Sequence, residues 1–454
     1  KQTDSYLTKD ADDAYYLYDS EHVDIPAGIN DTQVPSFAYR QGRYTWYYNY
    51  DEHAKLRESR SLRNLSKYNG YGSATFSAAV HGFRDAVNAG VIPDYDYGGY
   101  DIGSPQPCYN NEEVIEAAKT YFLGQIEKKI ASGYEIGKDI TVVDVAQLDS
   151  GSFCKCKTCI NAIAKERSGV ASVLYFTNEM ADAIGEAYPG LWVSMFAYYG
   201  TSTPPAKTMP RDNVNVSYCF YNDIDKLTCG NHTLDGKNCT EHPDDSYGTS
   251  NYNYAAEFDR WCQIAKRITV WYYPGNWALN SITNSTIKTM LKDMRYFSDN
   301  GVYGIYPCCS NPKKETDWES IDALMLYLYN RLLWNAEMTE EEFQAEIDDY
   351  LYVLYGEGGK FVGDYYKWLE TTDRIGCWPF MIAFGNPCDR TDFAKVRDGF
   401  ELCLSMFDDA IKYAPSAKAE YGVRLASRSM YVRGLISVYH DWYENGNDAQ
   451  KARY

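Results

Sequence analysis

Short apolar runs alternate with amphipathic stretches through the middle of the chain. The runs typical of buried strands lie at 36–40, 141–146, 192–197, 214–220, 268–273 and 301–306. Apolar residues at helical spacing fill the intervals between them, at 112–132, 158–188, 255–266, 286–300 and 318–334. A run at 73–83 is a further candidate strand. This alternation predicts a parallel sheet with helices packed outside it.

The fold class indicated is α/β. With 454 residues the chain exceeds the size of a single core, so more than one domain is expected. A TIM-like (β/α)8 barrel is the expected form of 36–335. A doubly wound sheet is the alternative, but no Gly-x-Gly-x-x-Gly turn follows the first strand. The pattern from 336 to 454 is helical throughout and predicts an all-helical C-terminal domain. Residues 1–35 are polar and turn-rich, as expected for a linker or the tail of an upstream domain.

The net charge and the aromatic content of the chain limit the kinds of ligand that it is expected to bind. The chain carries 44 basic and 63 acidic residues, a net charge of -19, which argues against nucleic acid because phosphate binding needs a basic face. No run of apolar residues is long enough for a membrane span. A neutral carbohydrate is compatible with this charge. The 44 Tyr and 10 Trp suit stacking on sugars and self-association through a Tyr-rich surface. They equally suit a surface whose Tyr residues aid solubility and packing.

Thirteen cysteines favour a secreted or cell-surface protein over a cytosolic one. The odd number leaves at least one thiol free or paired with another chain. The chain opens without Met or an apolar leader, which is typical of a trimmed product. In a eukaryotic secreted protein, some Asn-x-Ser/Thr sequons would carry glycans, whereas in a bacterial protein they would mean little. Such sequons begin at Asn30, Asn64, Asn215, Asn231, Asn238 and Asn284.

Asp149 is the principal candidate for catalysis. It follows the apolar run from Ile140 to Val145 and precedes a Ser/Gly turn. Catalytic groups of α/β barrels lie where strands end, and a carboxylate there can act as the general acid of glycoside hydrolysis. The alternative is a structural Asp that caps the turn by accepting backbone N–H groups.

The Cys-x-Cys-x-x-Cys motif after Asp149 allows two interpretations. The thiols could bind zinc with a fourth ligand from elsewhere, such as Cys219 or Cys229. Disulfides are favoured, because an exported chain oxidises its thiols. Neither a metal nor a cofactor is therefore expected. The cysteines assigned to disulfides are Cys154, Cys156, Cys159, Cys229 and Cys239.

Aromatic and amide side chains near other strand ends are candidates for substrate binding. Trp271, Tyr273 and Asn276 follow one predicted strand, and Tyr198 follows another. Rings at a barrel mouth form a platform for sugars, although they could instead form a hydrophobic lid. His81 could contact substrate, and a buried, hydrogen-bonded histidine is at least as common.

Taken together, these motifs resemble an uncharacterised family of secreted glycoside-hydrolase-like barrel proteins, a domain of unknown function whose layout is similar to α-glucuronidases and β-hexosaminidases. The similarity runs from about Ser36 to Trp334. The features that carry it are Leu148-Asp149-Ser150 before the three cysteines, Pro107-Cys108, Ala197-Tyr198 with Pro204-Pro205, and Leu332-Leu333-Trp334. The resemblance implies a polysaccharide or glycan as ligand.

The chain departs from the family pattern where acids are expected. Tyr272 stands in the Trp-x-Tyr strand, Cys308 follows Gly304 where a Glu is expected, and Leu148 replaces the Asn before the matched Asp. A mechanism with two carboxylates would then need a substitute such as Glu315, Glu319 or an acid of the acidic loop at 221–253. Two hypotheses follow: a glycosidase with Asp149 as acid/base, or a non-catalytic glycan-binding or structural relative.

Overall fold

The structure is a computed structural model. It describes residues 34–40, 81–93, 105–219, 254–272, 287–307, 322–371 and 393–415, together with positions 417, 419, 420, 423, 424, 427 and 430.

One sheet organises the described part of the chain. Its strands are β1 (Tyr39–Arg40), β2 (Val142–Asp144), β3 (Trp192–Ala197), β4 (Val214–Cys219), β5 (Arg267–Tyr272) and β6 (Gly304–Pro307). They are hydrogen-bonded in the order β1-β6-β5-β4-β3-β2, and all five neighbouring pairs are parallel. The sheet curls into half a barrel. The described residues do not show the closed eight-stranded barrel that the sequence predicted.

Helices follow the strands, as the alternating pattern predicts. In the strand-containing region they are α1 (Phe83–Asn88), α2 (Glu112–Ala131), α3 (Lys157–Glu166), α4 (Ala171–Ala187), α5 (Tyr254–Ile264), α6 (Ile287–Asp299) and α7 (Asp322–Trp334). A single helix expected over 158–188 is instead two, because Arg167 adopts a left-handed conformation with φ 53° and ends α3. The candidate strand at 73–83 falls largely outside the described residues, and its last residue, Phe83, begins α1.

The two faces of the sheet differ in chemistry. Val193, Met195 and Val216 are fully buried in the larger core that includes the helices. Alternate positions point to the concave face, since successive side chains of a strand project to opposite sides. There a smaller group, the interior cluster, fills the half-barrel with aromatic rings. Its members are Tyr39, Ala146, Phe196, Cys219, Trp271 and Tyr306.

A polar layer lies beside the interior cluster. Asn215 Nδ2 donates to Ser194 Oγ at 2.9 Å and to Thr269 Oγ1 at 3.0 Å, which ties β4 to its two neighbours. Asn215 is completely buried. The sequon that begins at this residue is therefore closed to a glycan in the folded chain, and the other five sequons lie outside the described residues.

Every described element after α7 is helical. They are α8 (Glu340–Tyr355), a short 3-10 helix (Gly356–Gly358), α9 (Gly359–Thr371) and α10 (Phe393–Lys412). Thr339 and Glu342 form a reciprocal capping box at the start of α8. Arg331 of α7 forms an ion pair with Glu346 of α8 at 2.5 Å, so the helical region packs directly on the strand-containing region. Its status as a separate domain at 336–454 stays a prediction.

Candidate functional site

Asp149 lies beyond the C-terminal end of β2, where the chain leaves the sheet. The segment is still attached to β3 there, because Val145 N donates to Ser194 O at 3.1 Å. The Asp149 side chain is 25% exposed, and Tyr198 donates its hydroxyl to Oδ1 at 3.1 Å. Tyr198 directly follows β3. Two adjacent strand ends thus supply an accessible carboxylate and a hydroxyl donor that orients it.

The alternative role of Asp149 as a turn cap has no support among the described residues. Its carboxylate accepts no backbone N–H there, and its polar contacts are with the side chains of Tyr198 and His81. The carboxylate therefore retains acceptor positions for a ligand.

His81 lies on the other side of this carboxylate. Its Nε2 is 3.9 Å from Asp149 Oδ1, and its Nδ1 donates to the Gln147 carbonyl oxygen at 2.5 Å. Burial lowers the pKa of His81 from its ordinary value, an effect that the negative charge of Asp149 opposes. The imidazole is consequently neutral near pH 7, with its proton on Nδ1 and an acceptor lone pair on Nε2.

The backbone conformation of His81 is also unusual. Its φ of 60° lies in the left-handed region, which residues other than Gly seldom occupy. The next residue, Gly82, packs so closely on β2 that a Cβ there would meet the Asp144 carbonyl oxygen at 2.0 Å. Backbone strain of this kind persists where surrounding contacts impose it, and it is frequent at ligand-binding sites.

The buried polar residues that hold this arrangement were not predicted from the sequence. The Gln147 side chain bridges two strand ends, with Nε2 donating to Phe196 O at 3.1 Å and to Thr201 Oγ1 at 2.9 Å. Thr201 Oγ1 in turn accepts from Tyr198 N at 3.2 Å. A glutamine within an apolar run was the available signal, since a buried polar side chain needs partners.

Gln106 clamps the Asp149 segment from a neighbouring loop. Its Nε2 donates to Leu148 O at 2.6 Å and to Ser150 O at 2.8 Å, and its Oε1 accepts from Leu148 N at 3.1 Å. These bonds bracket Asp149 on both sides. The side chain of Gln106 is almost fully buried, so the clamp is shielded from water.

Aromatic rings extend from the site into the half-barrel. The His81 ring lies 4.7 Å from that of Phe196, and Phe196 lies 5.3 Å from Trp271. Trp271 stacks on Tyr306 at 4.7 Å and is only 8% exposed. The described structure therefore brings His81, Asp149 and Tyr198 together and puts Trp271 deeper, in the interior cluster. Tyr273 and Asn276 lie outside the described residues.

The cysteine motif lies close to the clamp. Its three thiols meet a fourth, Cys108, which follows the Gln106 segment. Cys108 Sγ is 3.6 Å from Cys159 Sγ and 3.8 Å from Cys156 Sγ, and the four sulfur atoms all lie within 4.8 Å of one another.

The disulfides that the sequence favoured are not confirmed. A disulfide has an S–S bond of about 2.05 Å, and no pair of described cysteines approaches that distance. Cys219, suggested as a fourth zinc ligand, belongs to the interior cluster instead. Cys229 and Cys239 lie outside the described residues.

The local backbone favours the thiolate form at one position. Cys156 caps the N-terminus of α3, and the N–H of Cys159 points at its sulfur at 3.5 Å. This hydrogen bond lowers the pKa of the Cys156 thiol to about 7. Burial acts in the opposite direction at Cys108 and raises the pKa of its thiol.

The chain belongs to the family described as a domain of unknown function, DUF4838, whose model matches residues 11–367. The expectation of an uncharacterised family is confirmed to that extent. No curated protein matches the chain. Among the described residues, no helix is both long and apolar enough to cross a membrane.

Proposed function

We propose that this chain binds a neutral glycan at the site of Asp149, His81 and Tyr198, and that it hydrolyses a glycosidic bond there with Asp149 as acid/base. The observation that carries the proposal is the placement of Asp149. It is a partly exposed carboxylate at the C-terminal side of a parallel sheet, held by the Tyr198 hydroxyl at 3.1 Å. This edge is where sheets of this kind bind their ligands.

The donors and acceptors of the site suit a polyhydroxylated ligand. Neutral His81 presents an acceptor at Nε2, and Asp149 presents acceptors 3.9 Å away. Sugar hydroxyl groups donate to such acceptors without any charge of their own. The net charge of -19 is compatible with a neutral glycan and unfavourable for a polyanion.

Hydrolysis requires a second group. Most glycosidases use two carboxyl groups about 5–10 Å apart. Asp149 is proposed as one of the two here. The described residues that contact Asp149 supply His81 and Tyr198 and no other carboxylate. The segments that follow β4, β5 and β6 in sequence lie outside the described residues, and the last of them contains Glu315 and Glu319. We propose that a second acid comes from these segments.

A non-catalytic glycan-binding protein is the second candidate function. It is favoured by a different observation: the described residues that contact Asp149 supply no second carboxylate. We propose a location outside the cell on the number of cysteines alone, since no pair of described cysteines is at disulfide distance.

One experiment separates the two functions. The full chain is incubated with neutral oligosaccharides built from glucose, xylose, mannose or galactose, and both product release and binding are measured. Hydrolysis predicts that Asp149→Asn lowers turnover by about 10²–10⁴-fold while binding persists, since acid–base groups contribute on that scale. The matched control Asp85→Asn removes an exposed carboxylate of α1 and should leave both unchanged.

Binding without turnover by the wild type would select the non-catalytic function. If neither binding nor turnover occurs with any of these sugars, the proposed function is wrong.

A further inference from the structure

We propose that Cys108, Cys154, Cys156 and Cys159 form a structural zinc site that fixes the Asp149 loop to the start of α2. The sulfur geometry is the first support. Four thiolates around a tetrahedral zinc ion at about 2.3 Å are separated from one another by about 3.8 Å. The contacts of Cys108 with Cys159 and Cys156 are 3.6 and 3.8 Å.

The ligand spacing along the chain also suits zinc. Three ligands come from the Cys-x-Cys-x-x-Cys loop, and the fourth comes from a segment 48 positions before Cys156. Structural zinc sites take ligands in this way, with closely spaced cysteines on one segment and the remainder from another. Four sulfur ligands in a tetrahedron favour zinc over hard ions such as Mg²⁺ or Ca²⁺.

Hydrogen-bond donors surround the sulfur atoms as they do in metal–thiolate sites. Asn110 Nδ2 lies 3.3 Å from Cys159 Sγ and also donates to Ser172 Oγ at 2.6 Å. The N–H of Cys159 donates to Cys156 Sγ from the first turn of α3. Donors of this kind orient the ligands and stabilise negative sulfur.

Charge is balanced around the cluster. Binding of Zn²⁺ by four thiols releases four protons and leaves a complex of charge -2. Lys155 and Lys157 alternate with the cysteines in the same loop and supply two positive charges. Cys159 is buried and Cys156 is exposed, so the ion can enter from solvent and still be shielded on its inner side.

The zinc site would join the same two segments that Gln106 joins. Cys108 is two residues beyond Gln106, and Cys154 is five residues beyond Asp149. The N–H of Gln106 also donates to Ser152 O at 2.9 Å. A metal crosslink at this point restrains the loop that carries Asp149, whatever ligand binds there.

Metal content tests the proposal directly. The full chain is produced in zinc-supplemented medium, purified without chelator under reducing conditions, and analysed by inductively coupled plasma mass spectrometry. The proposal predicts one zinc per chain. Cys108→Ser and Cys159→Ser should each lower the zinc content at least about tenfold, because a closed structural site needs four ligands. Cys262→Ser, which removes a thiol of α5 outside the cluster, should retain zinc.

A measurement on the unmutated chain guards against variants that fail to fold. Native protein is alkylated with and without a chelator, and the modified cysteines are mapped by mass spectrometry. Protection of Cys108, Cys154, Cys156 and Cys159 that chelation removes supports the site. A disulfide between Cys108 and the loop, or zinc-free protein after zinc loading, would overturn it. No glycan enters either assay, so the outcome is independent of the proposed function.

Discussion

His81 donates its Nδ1 proton to the carbonyl oxygen of Gln147 at 2.5 Å, which leaves Nε2 as an acceptor 3.9 Å from Asp149 Oδ1. The bond selects one tautomer, because a carbonyl oxygen can only accept. A single backbone contact thus sets the chemistry of the residue that flanks the carboxylate.

The first prediction concerns pH. Burial lowers the pKa of His81 in the folded chain, so the unfolded chain takes up a proton first as pH falls through about 6.5. The folded state should therefore lose stability as the pH falls below about 7, by at most about 1.4 kcal/mol per pH unit, and the loss should stop below the folded pKa. His81→Asn, which tolerates a positive φ, should flatten this slope in urea unfolding measured across the range. Equal slopes for both proteins would show that His81 is not perturbed.

The second prediction concerns Tyr198. Tyr198→Phe removes the hydroxyl that bonds the Asp149 carboxylate. A loss of about 1 kcal/mol in the free energy of unfolding is expected, since water partly replaces the donor at this exposed carboxylate. Urea unfolding with an unchanged m-value would measure it. Tyr175→Phe is the control, because its contact with Glu112 is exposed and 3.5 Å long, and its effect should be below about 0.5 kcal/mol.

The third prediction contrasts two glycines. Gly82→Ala would bring a Cβ within 2.0 Å of the Asp144 carbonyl oxygen. The backbone next to His81 must then move, at a cost of about 1–3 kcal/mol or more. Gly124→Ala lies within α2 with nothing near the added methyl group, and should stabilise the chain by about 0.5–1 kcal/mol. Thermal or urea unfolding should move in opposite directions for the two variants; a shift in the same direction would contradict the packing described for Gly82.

The fourth prediction tests the clamp. Gln106→Leu keeps the approximate size of the side chain and leaves the backbone groups of Leu148 and Ser150 without these partners. A loss of about 1–3 kcal/mol per unsatisfied buried group is expected. Amide hydrogen exchange should rise in 147–152. Gln344→Leu, whose side chain contacts Asp348 at an exposed position of α8, is the control and should change neither quantity. Unchanged exchange in the Gln106 variant would mean that the loop is held by other contacts.

The local pattern of hydrophobic and polar residues was sufficient to predict many of the strands and helices. The strand at Trp192–Ala197 was predicted to the residue, because its apolar run lies between the turn residues Pro189-Gly190 and Gly200. The break between α3 and α4 was missed, since no proline marks it. It depends on the left-handed Arg167 and on Gly169, where a Cβ would meet the Gly200 carbonyl oxygen at 2.0 Å. Such a contact between distant segments leaves no local signal.

The candidate site, like the fold, was predicted only in part from the sequence. Asp149 and Tyr198 were found because each follows a strand, and parallel strands bring their ends to one edge. Cys108 was not assigned as a partner of the cysteine loop, because the two segments are far apart in sequence and meet only after α2 and β2 pack. The disulfide prediction used the expected compartment alone, and the sulfur distances in the described structure do not confirm it.

Co-crystallisation with an oligosaccharide identified by the binding assay would show directly whether the glycan contacts Asp149. We expect a sugar ring with a hydroxyl or glycosidic oxygen within about 3.2 Å of the Asp149 carboxylate. A second concave surface, between α8 and α9, has a volume of about 400 Å³ and includes Ile347, Tyr352 and Tyr366 in its lining. A sugar bound there, with the Asp149 site empty at saturating ligand, would show that Asp149 does not bind the glycan.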